Sequence, residues 1–127
     1  MGAMKRYLAS MVDGYTEAAL WSSSNDRYEL DEGYGEMLDA DFDASDIDRK
    51  TMREFEQDCA AFLDSNIDDL AEMDPEQAGH DFWLTRNHHG TGFWDRGLGG
   101  RGDRLTKAAH VYGEVHLYVG DDGKVHA

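Results

Sequence analysis

The sequence predicts an α+β domain in which N-terminal helices pack on a small C-terminal antiparallel sheet. Apolar residues recur at a spacing of three to four in two long stretches of the first 70 residues, as amphipathic helices require. Near the C-terminus they alternate instead, at Val115, Leu117 and Val119, ahead of an Asp-Asp-Gly turn. We expect a single domain at 4–127, with an acidic helical part at about 4–79 and a strand-rich part at about 80–127.

The first helix is predicted from Met4 to Leu20. Its apolar face consists of Tyr7, Leu8, Met11, Val12, Tyr15, Ala18 and Ala19. The serine-rich residues that follow Trp21 compete for backbone hydrogen bonds and favour a turn. Residues 27–43 mix glycine with isolated apolar residues and predict a loop with buried anchors.

The second helix is predicted to begin after an N-cap at Ser45, with Asp46 and Asp48 near its positive end. Its apolar face consists of Met52, Phe55, Cys59, Phe62, Leu63, Ile67 and Leu70. The spacing makes Cys59 a buried core thiol, and a single cysteine excludes an internal disulfide. The acidic residues between these positions are expected to point outward.

The second half is predicted to contain short elements. Asp74 followed by Pro75 is an N-cap signal for a short helix that stops at Gly79. The β-prone runs 82–85 and 93–94 predict a hairpin over 79–96 with a long loop. Asp103 predicts the cap of a helix that ends at Gly113, and a β-hairpin completes the chain.

The excess of negative over positive charge lies in the middle of the chain. Nineteen of the 27 acidic residues lie between Asp26 and Glu76 with only four basic residues, so this stretch accounts for the whole net charge of −15. Such a field repels nucleic acid and anionic membranes and attracts basic protein surfaces. The residues predicted to bind a partner are Asp31, Glu32, Glu36, Asp39, Asp41, Asp43, Asp46, Asp48, Glu54 and Asp58. The alternative interpretation is a solvated face that keeps the protein soluble.

A second candidate site is the predicted hairpin, which is dense in residue types used in catalysis. Its members are His80, Asp81, Arg86, His89, Asp95 and Arg96. The chain has no nucleophile elbow and no phosphate-binding glycine motif, and the aspartates from Asp39 onward lack the glycine and glutamate of a calcium loop. We therefore predict no cofactor and no metal, and the structural interpretation of this group is a set of turn residues and cross-strand pairs.

No apolar run approaches the roughly 18 residues of a membrane span, and no basic segment precedes a hydrophobic one at the N-terminus. We expect an intracellular protein.

The run from Asp74 to Gly97, DPEQAGHDFWLTRNHHGTGFWDRG, resembles a family of small uncharacterised acidic proteins of bacteriophages and prophages. GDRLT at 102–106, VGDDG at 119–123 and two short matches near the N-terminus, 7–9 and 19–23, extend the resemblance over most of the chain. His88 stands where the family pattern has glycine.

The resemblance implies a phage origin and a location in the cytoplasm of a bacterial host. Combined with the charge, it suggests an inhibitor that mimics DNA and blocks the basic surface of a host nuclease, CRISPR effector or restriction complex, without contacting nucleic acid itself. The alternatives are a binding or catalytic module at 79–96 and a virion or packaging accessory protein.

Overall fold

The computed structural model describes residues 2–24 and 37–127, and within these ranges it contains five α-helices and one two-stranded sheet. The helices are α1 (Gly2–Ser22), α2 (Arg49–Ser65), α3 (Ile67–Leu70), α4 (Pro75–Arg86) and α5 (Gly100–His110), and the strands are β1 (Tyr118–Val119) and β2 (Val125–His126). Short 3₁₀ turns lie at Leu38–Ala40, Ala44–Asp46 and Phe93–Asp95. The predicted fold class, helices packed with a small C-terminal antiparallel sheet, is confirmed.

Helices α1 and α4 form the central pair, and their backbones touch at two glycines. A Cβ atom on Gly14 would overlap the carbonyl of Glu76, and one on Gly79 would overlap the carbonyl of Met11. Glycine is unfavourable inside a helix, but here it permits a helix crossing that no larger residue allows.

An aromatic core fills the space between this pair and α2. The rings of Phe62 and Phe82 stack with centroids 4.1 Å apart, and Tyr15 meets Phe55 edge to face at 4.9 Å. Cys59 is buried among them, as predicted, and burial raises the pKa of its thiol. The thiol is therefore protonated and inert at neutral pH.

The C-terminal hairpin docks against the beginning of α2. Strands β1 and β2 are antiparallel, with Val119 opposite Val125. The backbone N–H of Asp48 donates to the carbonyl of Val125 at 2.9 Å, and the N–H of Ala127 donates to the hydroxyl of Thr51 at 3.1 Å. The hairpin thus lies beside the acidic part of the chain.

The prediction of a hairpin over 79–96 is wrong. Residues 82–85 lie inside α4, which begins at Pro75 with Asp74 as its cap, as predicted, but continues past Gly79 to Arg86. Six consecutive residues, 81–86, are buried, and such a continuous run has the period of neither a strand nor an exposed helix. Residues 80–127 contain the end of α4 and all of α5 but only four strand residues, so this part is more helical than strand-rich.

Helix α4 ends in a left-handed turn at His88, which has φ 59°. The N–H of His88 donates to the Thr85 carbonyl at 3.1 Å, and the N–H of His89 donates to that of Leu84 at 2.8 Å. This is the Schellman arrangement, in which glycine is the usual residue at the left-handed position. The His88 ring stacks on His110 with centroids 4.4 Å apart.

Candidate functional site: an exposed acidic segment

None of the acidic side chains in the described part of the acid-rich stretch is buried. Residues 37–76 contain 14 carboxylates and three basic residues. Ten of the 14 are exposed and the other four are partly exposed. The predicted residues Asp31, Glu32 and Glu36 lie outside the described residues.

Three of the predicted carboxylates are held in place by capping hydrogen bonds. The Asp43 carboxylate accepts from the Ser45 N–H at 2.9 Å, and the Asp46 carboxylate accepts from the Asp43 N–H at 2.9 Å, which closes a capping box around the 3₁₀ turn. The hydrogen bonds from Ser45 hold the pKa of Asp43 below its ordinary value. Asp48 caps α2 by accepting from the N–H groups of Lys50 and Thr51, so the predicted cap at Ser45 is wrong. These caps fix carboxylates that remain accessible to solvent.

Arginines from the second half of the chain form ion pairs with three carboxylates of residues 57–76. Ion pairs join Arg86 to Asp58 at 2.7 Å, Arg104 to Asp69 at 2.7 Å and Arg101 to Glu72 at 3.8 Å. Among the described residues, no arginine or lysine forms an ion pair with the seven carboxylates of residues 39–56, which we call the 39–56 segment. They are Asp39, Asp41, Asp43, Asp46, Asp48, Glu54 and Glu56.

Asp58, which was predicted to bind a partner, has a partly exposed carboxylate that is paired with the buried Arg86. The side chain of Arg86 is 4% exposed, and its guanidinium donates to the Asp58 carboxylate at 2.7 Å and to the Tyr15 hydroxyl at 3.0 Å. It also donates to the carbonyls of Gly113 at 2.8 Å and Tyr112 at 2.9 Å. One arginine therefore joins α1, α2, α4 and the turn after α5, so its role is structural.

Asp81 and Arg96 form a second ion pair, in which the aspartate is buried and the arginine reaches the surface. The Asp81 side chain is fully buried and accepts from Arg96 at 2.9 Å and from the Gln77 amide at 2.8 Å. Burial raises the pKa of Asp81, while the hydrogen bonds from Arg96 and Gln77 oppose the rise. Arg96 also donates to the Thr91 carbonyl at 3.0 Å, so this pair fastens the loop after α4 onto the helix.

Of the remaining members of the alternative site, His80 adjoins the Asp81–Arg96 pair, while His89 and Asp95 have other surroundings. The His80 ring packs on Trp21 with centroids 5.7 Å apart, and its Nδ1 lies 4.0 Å from Asp81. His89 lines a polar cleft of about 350 Å³ together with Ser22–24 and Asn87. Asp95 is exposed on the 3₁₀ turn. The structure therefore brings together three of the six residues, His80, Asp81 and Arg96, and does not bring Arg86, His89 and Asp95 into the same group.

A further carboxylate, from the C-terminal hairpin, lies near the 39–56 segment and was not predicted from the sequence. The His126 ring lies 3.0 Å from Asp122 and 3.8 Å from Asp48, and ligand atoms of the three side chains lie within 4.8 Å of one another. The hydrogen bond from His126 holds the pKa of Asp122 below its ordinary value. Residues 48 and 122 are distant in sequence, and only the docking of the hairpin on α2 brings them together.

No family model, curated protein or solved structure matches this chain. Among the described residues, none of the helices combines the length and the apolar character that crossing a membrane requires.

Proposed function

We propose that this chain is a phage-encoded interaction protein whose 39–56 segment binds the basic, DNA-binding surface of a bacterial host protein. The class of partner is a nuclease, a CRISPR effector or a restriction complex, and the effect is inhibition by competition with DNA. The observation that carries the proposal is a set of seven solvent-accessible carboxylates that pair with no arginine or lysine among the described residues.

The local structure supports this proposal in two ways. The capping bonds of Asp43, Asp46 and Asp48 hold their carboxylates before binding, which reduces the conformational entropy lost on association. The arginines of the C-terminal half are already engaged with acidic residues of this chain, so they do not offset the 39–56 segment. Duplex DNA presents about one charge per 1.7 Å of axis, and basic surfaces that bind it attract dense carboxylates as well.

The test uses two variants with equal net charge. The first is Asp39→Asn, Asp41→Asn and Glu54→Gln, and the second is Asp95→Asn, Asp103→Asn and Glu114→Gln. All six side chains are exposed, and none caps a helix through its side chain. Both variants should therefore fold.

Wild-type protein and both variants are immobilised, exposed to a bacterial lysate and eluted with duplex DNA. We expect the wild type and the second variant to release the same DNA-binding protein, identified by mass spectrometry, and the first variant to have lost it. Equal capture by all three, or capture that DNA does not reverse, would show that the proposal is wrong.

A further inference from the structure

A groove of about 470 Å³ lies between the N-terminal halves of α1 and α2. Its apolar lining comes from Leu8, Ala9, Val12, Ala44 and Met52. Lys5, Asp13 and Glu56 supply its charged lining, so two carboxylates and one ammonium border an apolar floor.

Thr16 is a polar residue in this otherwise apolar floor. It is 3% exposed, and among the described residues its hydroxyl has no hydrogen-bond partner. Leaving a buried hydroxyl without a partner costs free energy, and native structures seldom do so without a reason.

The groove adjoins the 39–56 segment. Ala44 belongs to the 3₁₀ turn that the carboxylates of Asp43 and Asp46 close, and Glu56 belongs to both the segment and the groove. An occupant of the groove is therefore surrounded mainly by negative charge, which favours lysine and arginine at its edges.

We infer that this groove holds an amphipathic, basic α-helix of the partner, with apolar side chains on the floor and basic side chains against the acidic rim. The inference deepens the proposed function and rests on it. From Lys5 to Thr16 the floor follows 11 helical steps of α1, about 16 Å. That length accommodates anchors at positions i, i+3 or i+4, and i+7 of a bound helix, which span about 10 Å. Apolar side chains buried in a groove mainly slow dissociation, whereas exposed charges mainly speed association.

The test uses a synthetic peptide of about 14 leucine and lysine residues with leucine at helical spacing. A peptide of the same composition with strictly alternating residues is the control for charge, because its leucines do not line one helical face. Ala9→Trp fills the groove from an exposed position, and Ala61→Trp places the same side chain at an exposed position of α2 outside the groove. Affinity is measured by fluorescence anisotropy, and thermal melting verifies that both variants are folded.

We expect the helical peptide to bind wild type and Ala61→Trp within about twofold of each other, and Ala9→Trp to weaken binding about tenfold or more. The alternating peptide should bind weakly and without dependence on Ala9. Unchanged affinity in Ala9→Trp would overturn the assignment. Dodecanoate that binds in an Ala9-dependent way, with no such dependence for the helical peptide, would instead identify a pocket for acyl chains and also overturn it.

The two proposals fail separately. In one outcome, the variant neutralised at 39, 41 and 54 no longer captures the host protein, while Ala9→Trp still binds both the host protein and the peptide. The proposed function then stands and the groove assignment is wrong. If groove-dependent peptide binding is observed but all baits capture equally from lysate, the groove binds helices and the proposed function falls.

Discussion

Asp41 and Asp81 have the same side chain in opposite surroundings. Asp41 is exposed on the 39–56 segment, whereas Asp81 is fully buried and bonded to Arg96 and Gln77. The same contrast separates two regions of the molecule, the acidic segment at 39–56 and the interior network of α4 and its following loop. The number of charged residues in a region therefore says little about its role, and the position of their partners says more.

The largest effect expected from this contrast is at Arg86. Arg86→Met removes four hydrogen bonds at once and leaves the carbonyls of Tyr112 and Gly113 without this donor, so we expect unfolding free energy to fall by about 3–5 kcal/mol. Arg86→Lys should fail to restore it, because an ammonium cannot reproduce the planar fork. Urea denaturation measures both.

The matched control for Arg86 is Arg101→Met, which removes a long ion pair of 3.8 Å with an exposed glutamate. Its stability should stay close to wild type. Comparable losses in the two variants would mean that the buried network has no special role.

Two buried threonines differ in whether their hydroxyl has a hydrogen-bond partner, and the expected effects on stability are smaller than at Arg86. Thr85 accepts from the N–H of Phe93 at 3.1 Å, so Thr85→Val should cost about 1–3 kcal/mol of stability by leaving that N–H unpaired. The hydroxyl of Thr16 has no partner among the described residues, so Thr16→Val should leave stability unchanged or raise it. A loss of stability in Thr16→Val as large as in Thr85→Val would contradict an unpaired hydroxyl in the groove.

The pH dependence of stability should have opposite signs for Asp81 and Asp69. Burial raises the folded-state pKa of Asp81 above 3.8, so the folded state binds the proton more tightly. The contribution of Asp81 to folding stability is therefore present below about pH 4 and is lost as pH rises through the folded pKa. The hydrogen bond from Arg104 lowers the pKa of Asp69, so its contribution is present above 3.8 and is lost as pH falls through the folded pKa.

Carboxyl-carbon NMR titration measures the two pKa values directly, and denaturation of Asp81→Asn over the same pH range measures the linkage. Stability of this variant should no longer fall through the window assigned to Asp81. Titration of Asp81 below the ordinary aspartate range would show that the Arg96 pair outweighs burial.

The smallest expected effect is at the end of α4. His88→Gly should raise stability by up to about 1 kcal/mol, because glycine adopts φ 59° without a steric penalty while the loss of the ring stack with His110 offsets part of the gain. His89 has no positive φ, so His89→Gly should lower stability slightly. Equal effects from the two substitutions, measured by thermal melting, would contradict the left-handed turn.

Local patterns in the sequence were sufficient to predict α1, the cap at Asp74, the buried Cys59 and the C-terminal hairpin. Each depends on spacing or on neighbours within a few residues. They were also sufficient to place most acidic residues outward, since aspartate and glutamate are seldom buried without a partner.

Features that depend on contacts between distant residues were not predictable. Gly79 looked like the end of a short helix because its packing partner, the carbonyl of Met11, is 68 positions away. The ion pair of Asp58 was not predicted because its partner, Arg86, lies 28 positions later in the sequence. The same applies to the approach of Asp122 and His126 to Asp48.

We propose that the position of the 39–56 carboxylates, rather than net charge, determines binding to a basic partner. The most direct measurement is the dissociation constant of the captured host protein at about 0.05–0.5 M salt for wild type and for the two charge-matched variants. We expect the variant at 39, 41 and 54 to bind about tenfold more weakly at low salt with a flatter salt dependence, and the variant at 95, 103 and 114 to follow the wild type. Coincident curves for the two variants would contradict the claim.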